Sequence, residues 1–247
     1  IQMKISVSSY SFQQYIRAEK MTQFDTVAKA KELGFDAIEF TNITGETHEE
    51  QIENAKKIKA EADRLGMTIN AYTIGANLFK EDEKEAKEEI DRLKKELEVA
   101  KILGVPLMRH DVCYTLTKTG NGRSFDLMLP TIAKNARELT EYAATLGIKT
   151  CSENHGFIAQ DSDRVERLYH AVAHDNYGIL VEQDLITFTT GGYSLSGSHN
   201  FHLYLSYGLH SGYGIIIFPI FCRVFTLKRD FRLDYGKDVI FLSILLC

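Results

Sequence analysis

Ile148 to Gly156 reads IKTCSENHG. Its first residues alternate as a short buried strand does, and where the apolar character stops, Glu153, Asn154 and His155 arrive together. A carboxylate, an amide and an imidazole thus share one strand end. In folds built of parallel strands and helices, ligands bind beyond the carboxyl ends of the strands. Glu153 is therefore the first candidate functional residue.

Working outward, the same punctuation recurs. Leu33-Gly34, Leu65-Gly66, Leu103-Gly104 and Leu146-Gly147 each end a helical pattern and precede a strand-like run, namely FDAIEF, MTINAY, VPLMRH and IKTCSE. Glycine at a helix C-terminus can take the left-handed conformation that turns the chain back toward a sheet. Strand-like starts near Lys4, Phe35, Met67, Val105, Ile148 and Asn176 lie 28 to 43 residues apart, the length of a strand plus a crossover helix. Between them run single apolar stripes: Ile52, Ala55, Ile58, Ala62 and Leu65; Ile90, Leu93, Leu97 and Ala100; Ile132, Ala136, Leu139, Ala143 and Leu146. One stripe per helix predicts one helical layer packed on a parallel sheet, with six βα units over residues 1 to about 182.

Such a sheet is either open and doubly wound or closed as a (β/α)8 barrel. Polar residues close every strand: Ser8 to Ser11, Glu39, Tyr72 to Thr73, Arg109 to Asp111, and Glu153 to His155. An open sheet would gather them at one switch point, and the first strand is not followed by G-x-G-x-x-G. The reading is an α/β chain with a (β/α)8 barrel fold. Its 247 residues suit one such barrel, which needs about 250.

Past Glu182 the composition changes. From Gln183 to Cys247 there is no Ala and no Glu, while Phe, Tyr, Ile, Leu, Ser and Gly take over. The chain divides accordingly into residues 1–182, six barrel units, and 183–247, an atypical C-terminal segment. That segment reads as an irregular completion of the barrel, a small β-rich element, or a frame-shifted translation, the last being favoured by the abruptness of the change. An incomplete barrel would expose apolar surface and associate as a homo-oligomer.

Composition excludes other classes. A net charge of -5 without a basic run gives no footprint for nucleic acid or for an anionic membrane surface. The apolar run Gly214 to Phe221 contains Pro219 and is far short of the roughly 20 residues of a membrane span. Cys113, Cys151, Cys222 and Cys247 are scattered, which fits a reducing, cytoplasmic setting better than a disulfide framework or a zinc ribbon. There is no G-x-S-x-G elbow, and neither Cys113 nor Cys151 has an evident activating partner.

Two carboxylates on adjacent strand ends, Glu153 and Glu182, could share a divalent metal. His202 and His210 are the remaining candidate ligands. His110 and Asp111, ending the fourth strand, could face Glu153 across the mouth, or Arg109, His110 and Asp111 could satisfy one another. Asn154 and His155 could orient Glu153 or bind substrate hydroxyls. For Glu39, a functional role and a structural ion pair weigh equally.

MKISVSSYSF, LGFDAIEF, MRHDV and IKTCSENHGFIAQDSDRVERLYHAVAHDNYGILVE resemble the sugar phosphate isomerase/epimerase family of xylose isomerase-like TIM barrels, over residues 3 to about 182. The resemblance implies a manganese or magnesium ion held by a Glu after strand five, an Asp after strand six, a His after strand seven and a Glu after strand eight. Glu153 matches the first. Glu182 stands where the family has Asp, His210 falls near the third position, and the fourth has no counterpart. The implied activity is metal-dependent isomerisation or epimerisation of a small sugar or keto-sugar: a carboxylate, Glu153, takes a proton beside the carbonyl and an enediolate accepts it back. His110, Asp111, Asn154 and His155 would then position hydroxyls. Two alternatives are an inactive barrel that binds a ligand or partner, and an apurinic endonuclease on the related barrel, which the small number of His and carboxylate ligands and the lack of a basic surface disfavour.

Overall fold

Parallel pairing joins six strands in the order in which they occur along the chain. They are β1 (Ser6–Ser8), β2 (Ala37–Thr41), β3 (Thr68–Ile74), β4 (Leu107–His110), β5 (Lys149–Glu153) and β6 (Tyr177–Leu180). A computed structural model describes residues 5–116, 122–153 and 158–180. Asn154, His155, Glu182, His202, His210 and the boundary expected at 182 lie outside the described residues, which all belong to one unit of the chain.

The crossovers are α2 (Asp25–Glu32), α3 (His48–Leu65), α4 (Glu83–Leu103), α5 (Phe125–Thr145) and α6 (Ser162–Val172), after a short α1 (Gln13–Arg17). Successive helices pack on one another, α2 on α3 through to α5 on α6. A doubly wound sheet reverses its strand order at a switch point. None occurs among the described strands, so the winding is that of a barrel.

Local chemistry explains the element ends. Thr47, Asp82, Ser124 and Asp161 cap α3, α4, α5 and α6, each accepting from the backbone N–H three residues on. Gly34, Gly66, Gly104 and Gly147 all have positive φ, as their pairing with a preceding Leu predicts. At Gly66, with φ 61°, a methyl group would meet nothing within 4 Å. Gly66→Ala therefore isolates the backbone cost of the left-handed cap, about 1–2 kcal/mol. It should lower the urea midpoint without changing the slope; a wild-type midpoint would remove this account of the helix end.

The apolar stripes face the sheet as expected. Ala55, Ile58 and Ala62 of α3, Ile90, Leu93, Leu97 and Ala100 of α4, and Ile132, Ala136, Leu139 and Ala143 of α5 are buried, with Ile52, Leu65 and Leu146 partly so. Against them lie Val7, Ile38, Phe40, Tyr72, Ile74 and Met108 from the strands. Among the described residues, no helix is long and apolar enough to cross a membrane.

Candidate functional site

Strand alternation sorts side chains between two faces. Two buried hydrogen bonds show which face meets the helices: Tyr72 Oη donates to Glu96 Oε2 of α4 at 2.6 Å, and Thr140 Oγ1 of α5 meets Thr150 Oγ1 at 2.7 Å. The neighbours of Tyr72 and Thr150, Thr73 and Cys151, consequently belong to the barrel interior. Register extends this set, since Arg109 pairs with both Thr73 and Cys151, and Glu153 follows Cys151 by two.

Glu153 is the last residue of β5 and is buried. Arg109 Nη1 lies 2.8 Å from Glu153 Oε2 and 2.9 Å from Asp111 Oδ1. One guanidinium thus joins two carboxylates across the ends of β4 and β5. The three side chains are only 17%, 8% and 13% exposed for Arg109, Glu153 and Asp111, so the pairing is shielded far more than a surface bridge. Glu39 of β2 is buried on the same interior face, placed there by its register with Ser8 and Ala71.

His110 is not at this cluster. It pairs with Ser152, which shares the helix-facing side with Thr150, and it is fully buried. Its Nδ1 lies 2.9 Å from the Asp111 carbonyl oxygen, and its ring sits 6.4 Å from that of Tyr177. Burial holds the imidazole below its ordinary range despite the favourable Asp111 carbonyl. The expectation that His110 faces Glu153 is thereby corrected: Arg109 occupies the interior position and bridges Asp111 to Glu153. The sequence leaves the choice open, because Leu107 and Met108 are both apolar and either fits the helix-facing side.

Helix α4 supports the loop after β3 that borders this cluster. Arg92 Nη2 donates to the Gly75 carbonyl oxygen at 2.8 Å, Arg92 pairs with Glu89, and Glu89 Oε1 accepts from Asn77 N–H at 2.9 Å. Gly75 is confined: a methyl group there would come within 2.8 Å of Tyr114 Oη and 3.7 Å of Asp111 Oδ2. Composition alone marks neither Arg92 nor Gly75, because both act through a loop that only the fold closes.

Cys151 pairs with Arg109 and precedes Glu153 by two residues on β5. Burial pushes its thiol up to about 12; the Arg109 charge opposes this and the Glu153 and Glu39 carboxylates add to it. Burial likewise pushes Cys113 up to about 12. Thiols raised so far by burial carry little thiolate at neutral pH, which disfavours a nucleophilic role for either. Both should escape iodoacetamide at pH 8 in the folded protein and react after denaturation, as read by peptide mass mapping; labelling of either in the folded state would contradict its burial.

Glu153 offers a hard oxygen donor at a strand end, and the wider expected set of carboxylates and imidazole is of the kind that suits manganese or magnesium. Among the described residues, no group of three or more His, Cys, Asp or Glu is placed to hold a metal. Glu182 and His210, the other expected ligands, fall outside them.

Comparison with known proteins places this geometry. No curated protein matches the chain. Among solved structures, a candidate sugar phosphate isomerase/epimerase from Anabaena variabilis superposes with a TM-score of 0.61 at 17% identity, over 73% of this chain and 64% of that one. D-psicose 3-epimerase from Clostridium cellulolyticum, solved with D-tagatose, gives 0.59 at 17% identity over 72% and 63%. A 3-keto-D-glucoside 4-epimerase from E. coli gives 0.52 at 16% identity over 64% and 62%. At such identities the likeness is one of fold, and the chain spans less than two thirds of each of these proteins. The family described as xylose isomerase-like TIM barrel matches residues 27–182, well over half of the sequence. With six parallel strands in sequential order and a carboxylate at the end of the fifth, the chain belongs to the xylose isomerase-like TIM-barrel family.

Proposed function

We propose that this protein is an isomerase or epimerase of a small sugar or keto-sugar, in which Glu153 moves a proton to and from the carbon beside a carbonyl. The observation that carries this reading is the placement of Glu153: last in β5, on the interior face, and ion-paired to Arg109 at 2.8 Å. Isomerisation and epimerisation of a sugar need a base held still against one C–H bond. Arg109 supplies the restraint, with Asp111 fixing Arg109 in turn. Sugar epimerases among the proteins of like fold support the substrate class.

A manganese or magnesium ion would be held by Glu153, Glu182 and His210. When bound, it would polarise the carbonyl and acidify the neighbouring C–H. The chain's own residues do the rest: Glu153 accepts the proton and, in an isomerisation, returns it to the adjacent carbon on the same face, while Arg109 keeps the carboxylate oriented; in an epimerisation the returning proton comes from solvent on the opposite face. Asn154 and His155, adjacent to Glu153 in sequence, would bind hydroxyls.

Incubation with manganese and a panel of ketoses and aldoses, followed by NMR, tests this. The reading predicts a new epimer or the aldose–ketose partner of one panel sugar; a panel returned unchanged contradicts it. The absence of Glu from residues 183 to 247 favours a second reading, an inactive barrel that binds a ligand or partner. Calorimetric titration separates the two, since manganese should bind at one site in the enzyme and release no heat in the inactive barrel.

A further inference from the structure

Two buried polar atoms of the barrel interior have no hydrogen-bond partner among the described residues, and they belong to residues directly paired across β3 and β4. They are Thr73 Oγ1 and Arg109 Nε. Thr73 is 4% exposed, one residue before the end of β3. Its backbone is engaged, the carbonyl oxygen accepting from Asn42 N–H at 3.2 Å, so only the hydroxyl is left over. Arg109 spends Nη1 on both carboxylates, which leaves Nε directed elsewhere.

Buried polar groups are nearly always paired, and leaving one unpaired costs free energy that a folded protein tolerates where function requires it. Here two such groups belong to residues paired across β3 and β4, and Arg109 is itself ion-paired to Glu153. Their chemistry restricts what can satisfy them. Arginine Nε–H only donates, and a threonine hydroxyl donates or accepts. The complementary atom is an oxygen that accepts from Arg109 and exchanges a hydrogen bond with Thr73. A sugar hydroxyl does both. A phosphate or carboxylate would instead have to share Arg109 with Asp111 and Glu153, to which its Nη1 is already paired, so a neutral oxygen is the better fit.

We infer that Thr73 of β3 and Arg109 Nε of β4 form a subsite for a hydroxyl oxygen of an uncharged sugar, respectively two strands and one strand away from Glu153 of β5, and that Thr73 is a specificity-determining residue. The inference rests on the sugar reading above and assigns the part of the ligand that is not at the reacting carbon.

Thr73→Val tests it, because valine keeps the shape and removes only the hydroxyl, with Thr73→Ser restoring the hydroxyl. Three proteins, wild type and both variants, are titrated calorimetrically with D-fructose and with D-fructose 6-phosphate, and each is melted without ligand. The expected result is D-fructose affinity about tenfold weaker in Thr73→Val and within twofold of wild type in Thr73→Ser, with D-fructose 6-phosphate the weaker ligand of wild type. Ligand-free Thr73→Val should melt at or above the wild-type temperature, since it relieves an unpaired hydroxyl. Unchanged D-fructose affinity in Thr73→Val would overturn the subsite and leave the sugar reading standing. A lower melting temperature in Thr73→Val would overturn it too, by showing that the hydroxyl is already paired in the free protein. Failure of wild type to bind either sugar would sink the sugar reading and the ligand class together, whatever the melting temperatures.

Discussion

Glu153→Gln is expected to slow sugar interconversion by about 10²- to 10⁴-fold while leaving the protein folded. The amide keeps the size of the side chain, and its carbonyl oxygen can still accept from Arg109 Nη1, which lies 2.8 Å from Glu153 Oε2. What it cannot do is take a proton. Turnover should therefore fall far more than stability, and circular dichroism with a thermal melt alongside the activity assay separates the two effects. Full activity in this variant would remove Glu153 from the chemistry.

Arg109→Met should show the opposite balance, with a large loss of stability accompanying the loss of activity. Methionine fills much of the space but leaves Glu153 and Asp111 facing each other without the cation between them. Removing one partner of a buried pair generally costs about 3–5 kcal/mol, because the remaining charge stays desolvated. Arg109 serves two carboxylates, both largely shielded from solvent, which places the expected cost toward the upper end of that range. Urea denaturation measures it. A midpoint equal to that of wild type would mean that the guanidinium is solvated, and that it does not restrain Glu153.

Much of the fold is legible in the residues themselves, for identifiable physical reasons. The Leu-Gly pairs mark helix ends because only glycine takes positive φ without strain, and all four glycines do so. The strands begin within two residues of the expected starts, at Ser6, Ala37, Thr68, Leu107, Lys149 and Tyr177. Helix faces follow from the spacing of Leu93, Leu97 and Ala100 because burial of one stripe is what holds each helix to the sheet.

The site is less legible, because the order of residues at a strand end does not say which of two neighbours turns inward. RHD offers an arginine, a histidine and an aspartate, and histidine is the usual suspect for catalysis. Leu107 and Met108 are both apolar and leave the alternation open; the pairing of His110 with Ser152 and its full burial send Arg109 inward and His110 toward the helices. Thr73 posed the converse difficulty. As one more polar residue at a strand end it carries no signal, and it becomes informative once its hydroxyl is seen to be buried and unpaired across from Arg109.

The most direct test of the central claim follows the proton itself. Wild type and Glu153→Gln, each with manganese, are incubated in D₂O with the sugar that wild type converts, and deuterium at the carbon beside the carbonyl is read by proton NMR. A carboxylate that removes and returns this proton should let wild type wash in deuterium at that carbon while the variant leaves it protonated. Equal deuterium incorporation by the two proteins would contradict proton transfer by Glu153.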